Sequence, residues 1–293
     1  MLATPFDDER SVAVVAELER KARRHEVPFV GGRVVWRCFG EGRPLVLLHG
    51  SHGSWLHWAR NVQAWAAHRA VWVPDLPGYG DSAPPPEPTL RSLLDATHQT
   101  LGALLGPHTP IDLVGFSFGG LVAAHLALWR SGVSRLALLG PAGHGTVRRP
   151  RGEQRSWRRA YEQRDMAALA DLMRHNLWVH MLHHPASAEG LALRIHTNAC
   201  VKARFHSKPI SRTGGLRDCL ARFHGPVLLA WGEHDVTADP VRLAPLLAGG
   251  RDDCSIQVVP NAGHWVQFEA ADAVNTLLLQ WLEETSDHLQ QES

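Results

Sequence analysis

The chain has little cysteine, no long apolar run and almost no net charge, and each absence removes a class of protein. Four cysteines in 293 residues, Cys38, Cys200, Cys219 and Cys254, stand far apart without a C-x-x-C pair. That spacing argues against a disulfide scaffold or a zinc knuckle and fits free buried thiols in a reducing compartment. Nowhere do eighteen apolar residues follow one another, and Met1 to Arg24 holds no apolar segment of the kind a secretion signal carries. A cytoplasmic protein without a membrane span is the expectation. Net charge is +1, and no basic run is interleaved with aromatics, so nucleic acid is not an expected partner. What remains is a chain with 44% hydrophobic residues, long enough for one large core and a subdomain.

Val12, Val15 and Leu18 recur at helical spacing, which predicts an amphipathic helix within residues 7–24. Gly31-Gly32 separates two strand-like runs, 24–30 and 33–39, as a hairpin turn. Pro44 to Leu48 reads as a buried strand. Beyond it strands at 70–74, 111–116, 134–140, 227–231 and 255–259 alternate with helices at 55–66, 88–105, 118–129, 239–247 and 271–288. Such alternation means an α/β fold, a mostly parallel sheet flanked by helices. It stops after Pro141-Ala142-Gly143 and resumes at Gly225-Pro226. The chain therefore divides into a first core part, 1–143, a helical insertion, 144–224, and a second core part, 225–293. Between residues 145 and 225, fifteen Lys and Arg face six Asp and Glu. Two readings of that excess stay open: a surface that draws an anion, or a solvated arginine-rich face.

Gly115-Phe116-Ser117-Phe118-Gly119 joins the apolar strand Ile111 to Val114 to an Ala- and Leu-rich helix. A serine on so sharp a strand-to-helix turn has its hydroxyl exposed at the sheet edge, and the flanking glycines let strand and helix approach. Serine is a poor nucleophile unless a base takes its proton and a third group orients the base. Asp235 closes the segment after one buried strand and His264 follows the next, so both project from carboxyl ends of strands. Ser117, Asp235 and His264 are thus the expected catalytic set, with Glu233 a weaker candidate for the acid. Backbone amides of Ser51, in His49-Gly50-Ser51-His52-Gly53, and of Phe118 would receive an oxyanion. His49 is expected to be structural; His52 could touch substrate or face solvent. His180, His183 and His184 lack an accompanying carboxylate or cysteine, so no metal or cofactor is expected.

These segments, with Asp75-Leu76-Pro77-Gly78-Tyr79-Gly80-Asp81-Ser82, resemble the α/β-hydrolase family, specifically the branch with a helical cap after the sixth core strand. The resemblance implies a serine hydrolase cleaving an ester or related acyl bond of a small, apolar or aromatic substrate. The alternative it implies is carbon-carbon hydrolysis of a 2-hydroxy-6-oxo-dienoate ring-cleavage product. Trp265, directly after the histidine, and Arg194, like that branch's carboxylate-binding cap arginine, speak for the alternative; Phe116, where those enzymes usually carry asparagine, speaks against it. His52, Phe116, Arg194 and Trp265 are the residues expected to meet substrate, with Arg204 and Arg212 equally open as anion binders. Asp75 and Asp81 are structural in the family. A small molecule, anionic or not, is the expected partner, and homo-oligomerisation stays open. An acyltransferase and a non-catalytic binding protein on the same scaffold remain rivals.

Overall fold

The computed structural model describes residues 8–291, with side chains to residue 285. Helix α1 (Glu9–Lys21) is capped by Asp8, whose carboxylate accepts from Ser11 N at 2.9 Å. It ends three residues before the expected boundary at 24, because Arg23 and Arg24 pair with Cys38 and Arg37 in the hairpin of β1 (Arg23–Phe29) and β2 (Gly32–Phe39). Residue 7, the other expected boundary, lies outside the described residues.

After β3 (Pro44–Leu48), the single helix expected over 55–66 is broken into a 3₁₀ turn, Trp55–Trp58, and a short α2 (Val62–Ala66). The reason is Asn61, whose buried amide turns away to donate to Gln267 O at 2.9 Å and to Asn275 Oδ1 at 2.8 Å. Then follow β4 (Ala70–Pro74), α3 (Leu90–Leu105), β5 (Ile111–Phe116), α4 (Phe118–Trp129) and β6 (Val133–Leu139). Five helices stand between β6 and the next strand: α5 (Arg158–Glu162), α6 (Met166–His180), α7 (Gly190–Lys202), α8 (Lys208–Arg212) and α9 (Leu216–Arg222). The chain closes with β7 (Val227–Gly232), α10 (Pro240–Ala248), β8 (Cys254–Val259), α11 (Val266–Glu269) and α12 (Ala271–Gln291).

The eight strands form one sheet in the order β1-β2-β4-β3-β5-β6-β7-β8, parallel except where β2 meets β1 and β4. In β3, Val46 and Leu48 face one apolar cluster while Leu45 and Leu47 face another. Alternate side chains point to opposite faces, so a continuous apolar strand is what burial on both faces requires. Parallelism also brings the ends of β3, β5, β7 and β8 to one edge. Across that edge lie the insertion helices: Trp265 N donates to Met181 O at 2.7 Å, Gly143 N to Ser211 O at 3.1 Å and Arg204 N to Gly78 O at 2.8 Å. Ala160, Leu169, Ala170, Met173, Leu193 and Cys200 give α5, α6 and α7 an apolar cluster of their own. Among the described residues, no helix is long and apolar enough to cross a membrane.

Candidate active site

Ser117 sits between β5 and α4 with φ 53° and ψ −117°. A non-glycine residue there costs about 1–3 kcal/mol and persists only where its surroundings overdetermine it. They do: Ser117 N donates to Leu139 O, and Ser117 O accepts from Gly120 N and Ala142 N, each at 2.9 Å. Gly119 permits the approach of helix to sheet, since a Cβ there would stand 2.3 Å from Leu48 O. The outcome is a half-buried hydroxyl at the N-terminus of α4, on the edge where the other strands end.

Two chain reversals bring the partners to it. After β7, Asp235 N bonds back to Gly232 O at 3.0 Å; after β8, Gly263 N is held by Glu269 Oε2 at 2.7 Å. His264 Nε2 lies 2.9 Å from Ser117 Oγ, and His264 Nδ1 lies 2.8 Å from Asp235 Oδ2. With the carboxylate accepting, Nδ1 carries the proton and Nε2 is left to accept from the serine. Asp235 Oδ1 accepts from Thr237 N at 2.7 Å and Thr237 Oγ1 at 2.8 Å. Burial alone would raise the Asp235 pKa, but His264 and the two Thr237 donors outweigh it and hold the carboxyl below its ordinary value. Glu233 is not part of this set: its carboxylate accepts from Asn261 N.

The amides of Ser51 and Phe118 have no acceptor among the described residues. Buried histidines fix the loop that carries Ser51. His49 Nε2 accepts from Leu76 N at 2.9 Å, which leaves Nδ1 to donate to Gly50 O at 2.8 Å; burial lowers the pKa of the ring below its ordinary value. His57 Nδ1 accepts from Gly50 N at 3.2 Å, and burial holds its pKa well below the ordinary value. Behind the loop, Asp75 takes Trp55 N at 2.9 Å and the buried Arg37 at 3.1 Å, and Arg37 also binds Asp81 and Glu19. Asp75 and Asp81 are thus part of a structural ion network.

The four residues expected to meet substrate fare differently. His52 is exposed beside the cleft, its Nδ1 2.9 Å from Ser51 Oγ, which reaches Ser207 Oγ at 2.5 Å. Phe116 and Trp265 present no surface at all. Phe116 packs against His264 and His57, and Trp265 stacks on Phe268 while its Nε1 donates to His57 O. Both support the site from beneath, and neither touches what binds in it. Arg194 makes no hydrogen bond or ion pair with Ser117, Asp235 or His264. It lies two positions from His196 on α7, hence about 200° around the helix, and His196 is the residue placed in electrostatic reach of His52, His57 and His180. Arg204 is spent on Gly80 O and Ser82 O, whereas Arg212 lines an open pocket.

The residues missed in the sequence are Thr237, His57 and His196; His180 is weighed there only as a metal ligand. The His180 ring, from the end of α6, lies 5.9 Å from that of His264, and burial lowers its pKa to about 3. His183 instead stacks on His234 at 3.6 Å. Among the described residues, no three His, Cys, Asp or Glu converge as a metal would need.

A family model described as alpha/beta hydrolase fold matches residues 43–271. The chain is similar to the dihydrolipoyllysine-residue acetyltransferase component of an acetoin cleaving system from Pseudomonas putida, at 33% identity over 86% of this chain and 68% of that one. A 2-hydroxy-6-oxononadienedioate/2-hydroxy-6-oxononatrienedioate hydrolase of Comamonas testosteroni is 27% identical over 83% of this chain and 88% of its own length. A pimeloyl-(acyl-carrier protein) methyl ester esterase of Vibrio cholerae is 40% identical over 33% of this chain and 35% of its own. The meta-cleavage product hydrolase of Pseudomonas fluorescens IP01 shares the fold, with a TM-score of 0.72 at 21% identity over 89% of this chain and 97% of that one. The strand order, the serine turn and the family match agree, and the chain belongs to the α/β-hydrolase fold family.

Proposed function

We propose that the chain is a serine hydrolase that cleaves an ester or related acyl bond of a small apolar or aromatic substrate through an acyl-enzyme. The observation that carries this is the relay Ser117 Oγ to His264 Nε2 at 2.9 Å and His264 Nδ1 to Asp235 Oδ2 at 2.8 Å. Ser117 Oγ attacks the carbonyl carbon as its proton passes to His264 Nε2. The carbonyl oxygen becomes an oxyanion received by the Ser51 and Phe118 amides, at the positive end of α4. The carbon–oxygen bond then breaks, and the alcohol leaves with the proton from His264. Water repeats the sequence: His264 takes its proton, hydroxide adds to the acyl carbon, and Ser117 is released protonated with the acid. Asp235 orients the imidazole and stabilises its cation.

Carbon-carbon hydrolysis is the second reading, supported by the name of the Comamonas relative. The two residues that favoured it in the sequence lend it nothing further, since Trp265 is sealed in the core and Arg194 stands on another face of α7 from His196. Ser117→Ala tests the first reading: hydrolysis of p-nitrophenyl esters and labelling by a fluorophosphonate are both expected to disappear. Unchanged turnover in that variant removes the serine from its role. Parallel rates on an aryl ester and on a 2-hydroxy-6-oxo-dienoate separate the two readings.

A further inference from the structure

One pocket beside the relay has no part in the chemistry above. It holds about 330 Å³ and is lined by His144, Gly145, Thr146, Arg148, Ser211 and Arg212. Its floor is built. Arg149, the next residue after Arg148, donates its backbone N–H to Val236 O at 2.8 Å, and its guanidinium reaches Asp235 O and Ala238 O. Arg148 is therefore anchored against the loop that carries Asp235. On the opposite wall Gly143 N holds Ser211 O, and Leu216 N holds Gly143 O.

Three polar side chains of this pocket lack partners among the described residues. Arg148, half-buried, and Arg212, exposed, make no hydrogen bond or ion pair with any described residue. Ser211 Oγ is buried and also without a partner. His144 is already engaged, its Nδ1 accepting from Thr146 N at 3.1 Å and its ring bonding the Thr237 backbone. Burial holds the Arg148 pKa down, the charge of Arg212 adds to that and the Asp235 carboxylate opposes it, so the two cations stand within reach of each other. The carboxylate within electrostatic reach of Arg148, that of Asp235, is already engaged by His264 and Thr237, so two guanidinium groups and an unsatisfied buried hydroxyl in one pocket offer their donors to an anion.

We propose that this pocket binds a carboxylate at the far end of the substrate's acyl or leaving group, so that the enzyme selects monoanionic esters. The planar guanidinium forks take a carboxylate bidentately, and Ser211 Oγ supplies a further donor. This deepens the hydrolase reading and rests on it for where the scissile bond lies, while the pocket itself can be tested without turnover.

The experiment has two arms. In the first, kcat/KM is measured for the mono-p-nitrophenyl ester of glutaric acid and for neutral p-nitrophenyl butyrate. The ratio of the two is expected to fall at least about tenfold in Arg148→Gln, and in the same direction in Arg212→Gln, an exposed position that does not threaten the fold. An unchanged ratio in both variants overturns the proposal. In the second arm, glutarate and inorganic phosphate are titrated calorimetrically into Ser117→Ala. Glutarate binding that disappears when Arg148→Gln is added supports the pocket; binding that persists, or phosphate held more tightly than glutarate, overturns the assignment to a carboxylate. No hydrolysis of either ester, with glutarate still bound through Arg148, defeats the hydrolase reading and leaves the pocket standing.

Discussion

His196 makes the insertion sensitive to acid in a way that can be worked out. Its ring is 7% exposed on α7, beside Cys200 Sγ at 3.7 Å, and burial lowers its pKa from 6.5 to about 4. In the unfolded chain the same ring takes a proton near pH 6.5. Between those two values the unfolded chain binds more protons than the folded one, so stability is full above about pH 6.5 and drains away as pH falls toward about 4. For these two values the loss between pH 7.5 and pH 5 is about 2 kcal/mol. His196→Gln keeps a polar side chain of similar bulk and removes the titration. Urea denaturation at pH 7.5 and 5.0 gives the change in unfolding free energy for each protein. The parent is expected to lose about 2 kcal/mol more than the variant over that interval. His180 and His57 titrate in both proteins, and apart from their coupling to His196 their contributions cancel in the difference. Equal losses would refute the reasoning, because the ring would then be taking its proton in the fold as readily as outside it.

Other consequences are open to the same kind of test. Thr237→Val removes one donor to Asp235 and leaves the backbone one; kcat is expected to fall about tenfold to a hundredfold with KM little changed, as steady-state rates on an aryl ester will tell. Gly119→Ala drives a Cβ against the carbonyls of Leu48 and His49, so a loss of about 3 kcal/mol or more in stability is expected together with loss of turnover. Arg37→Met strips the buried Asp75 of its cation and is expected to cost about 3–5 kcal/mol in denaturant unfolding, with a looser Ser51 loop seen as faster amide exchange at residues 49–57.

Much of the core was legible because its signals are local. Apolar strands run straight into Gly-Phe-Ser and Gly-Glu-His-Asp, the last strand leads through a short loop to Gly-His, and parallel topology delivers whatever follows such strands to one edge. The α4 range, 118–129, falls where the pattern put it. The misses come from contacts distant in sequence. Asn61 ends its turn because of Gln267 and Asn275, more than two hundred residues away. Thr237 carries no mark in the sequence beyond standing two places after an aspartate, and His57 lay inside a stretch that read as plain helix.

The face that meets substrate was the least legible part, and α7 shows why. Ala192, Leu193, Ile195, His196, Thr197, Ala199 and Cys200 are all buried and at 100° per residue span about 200° of the helix, with Arg194, Asn198 and Lys202 on the remaining arc, so the phase separates a packed side from an outer one without marking which packed residue looks into the cleft. The basic excess of the insertion poses the same problem and resolves it differently. Arg149 is bound to carbonyls at residues 233, 235 and 238, Arg151 to those at 178, 182 and 183, and Arg204 to those at 80 and 82. Arginines so engaged are clasps between loops, and their charge is spent on the protein. A count of cations therefore says little about ligands; what singles out Arg148 and Arg212 is that the fold brings them together and leaves their donors unused.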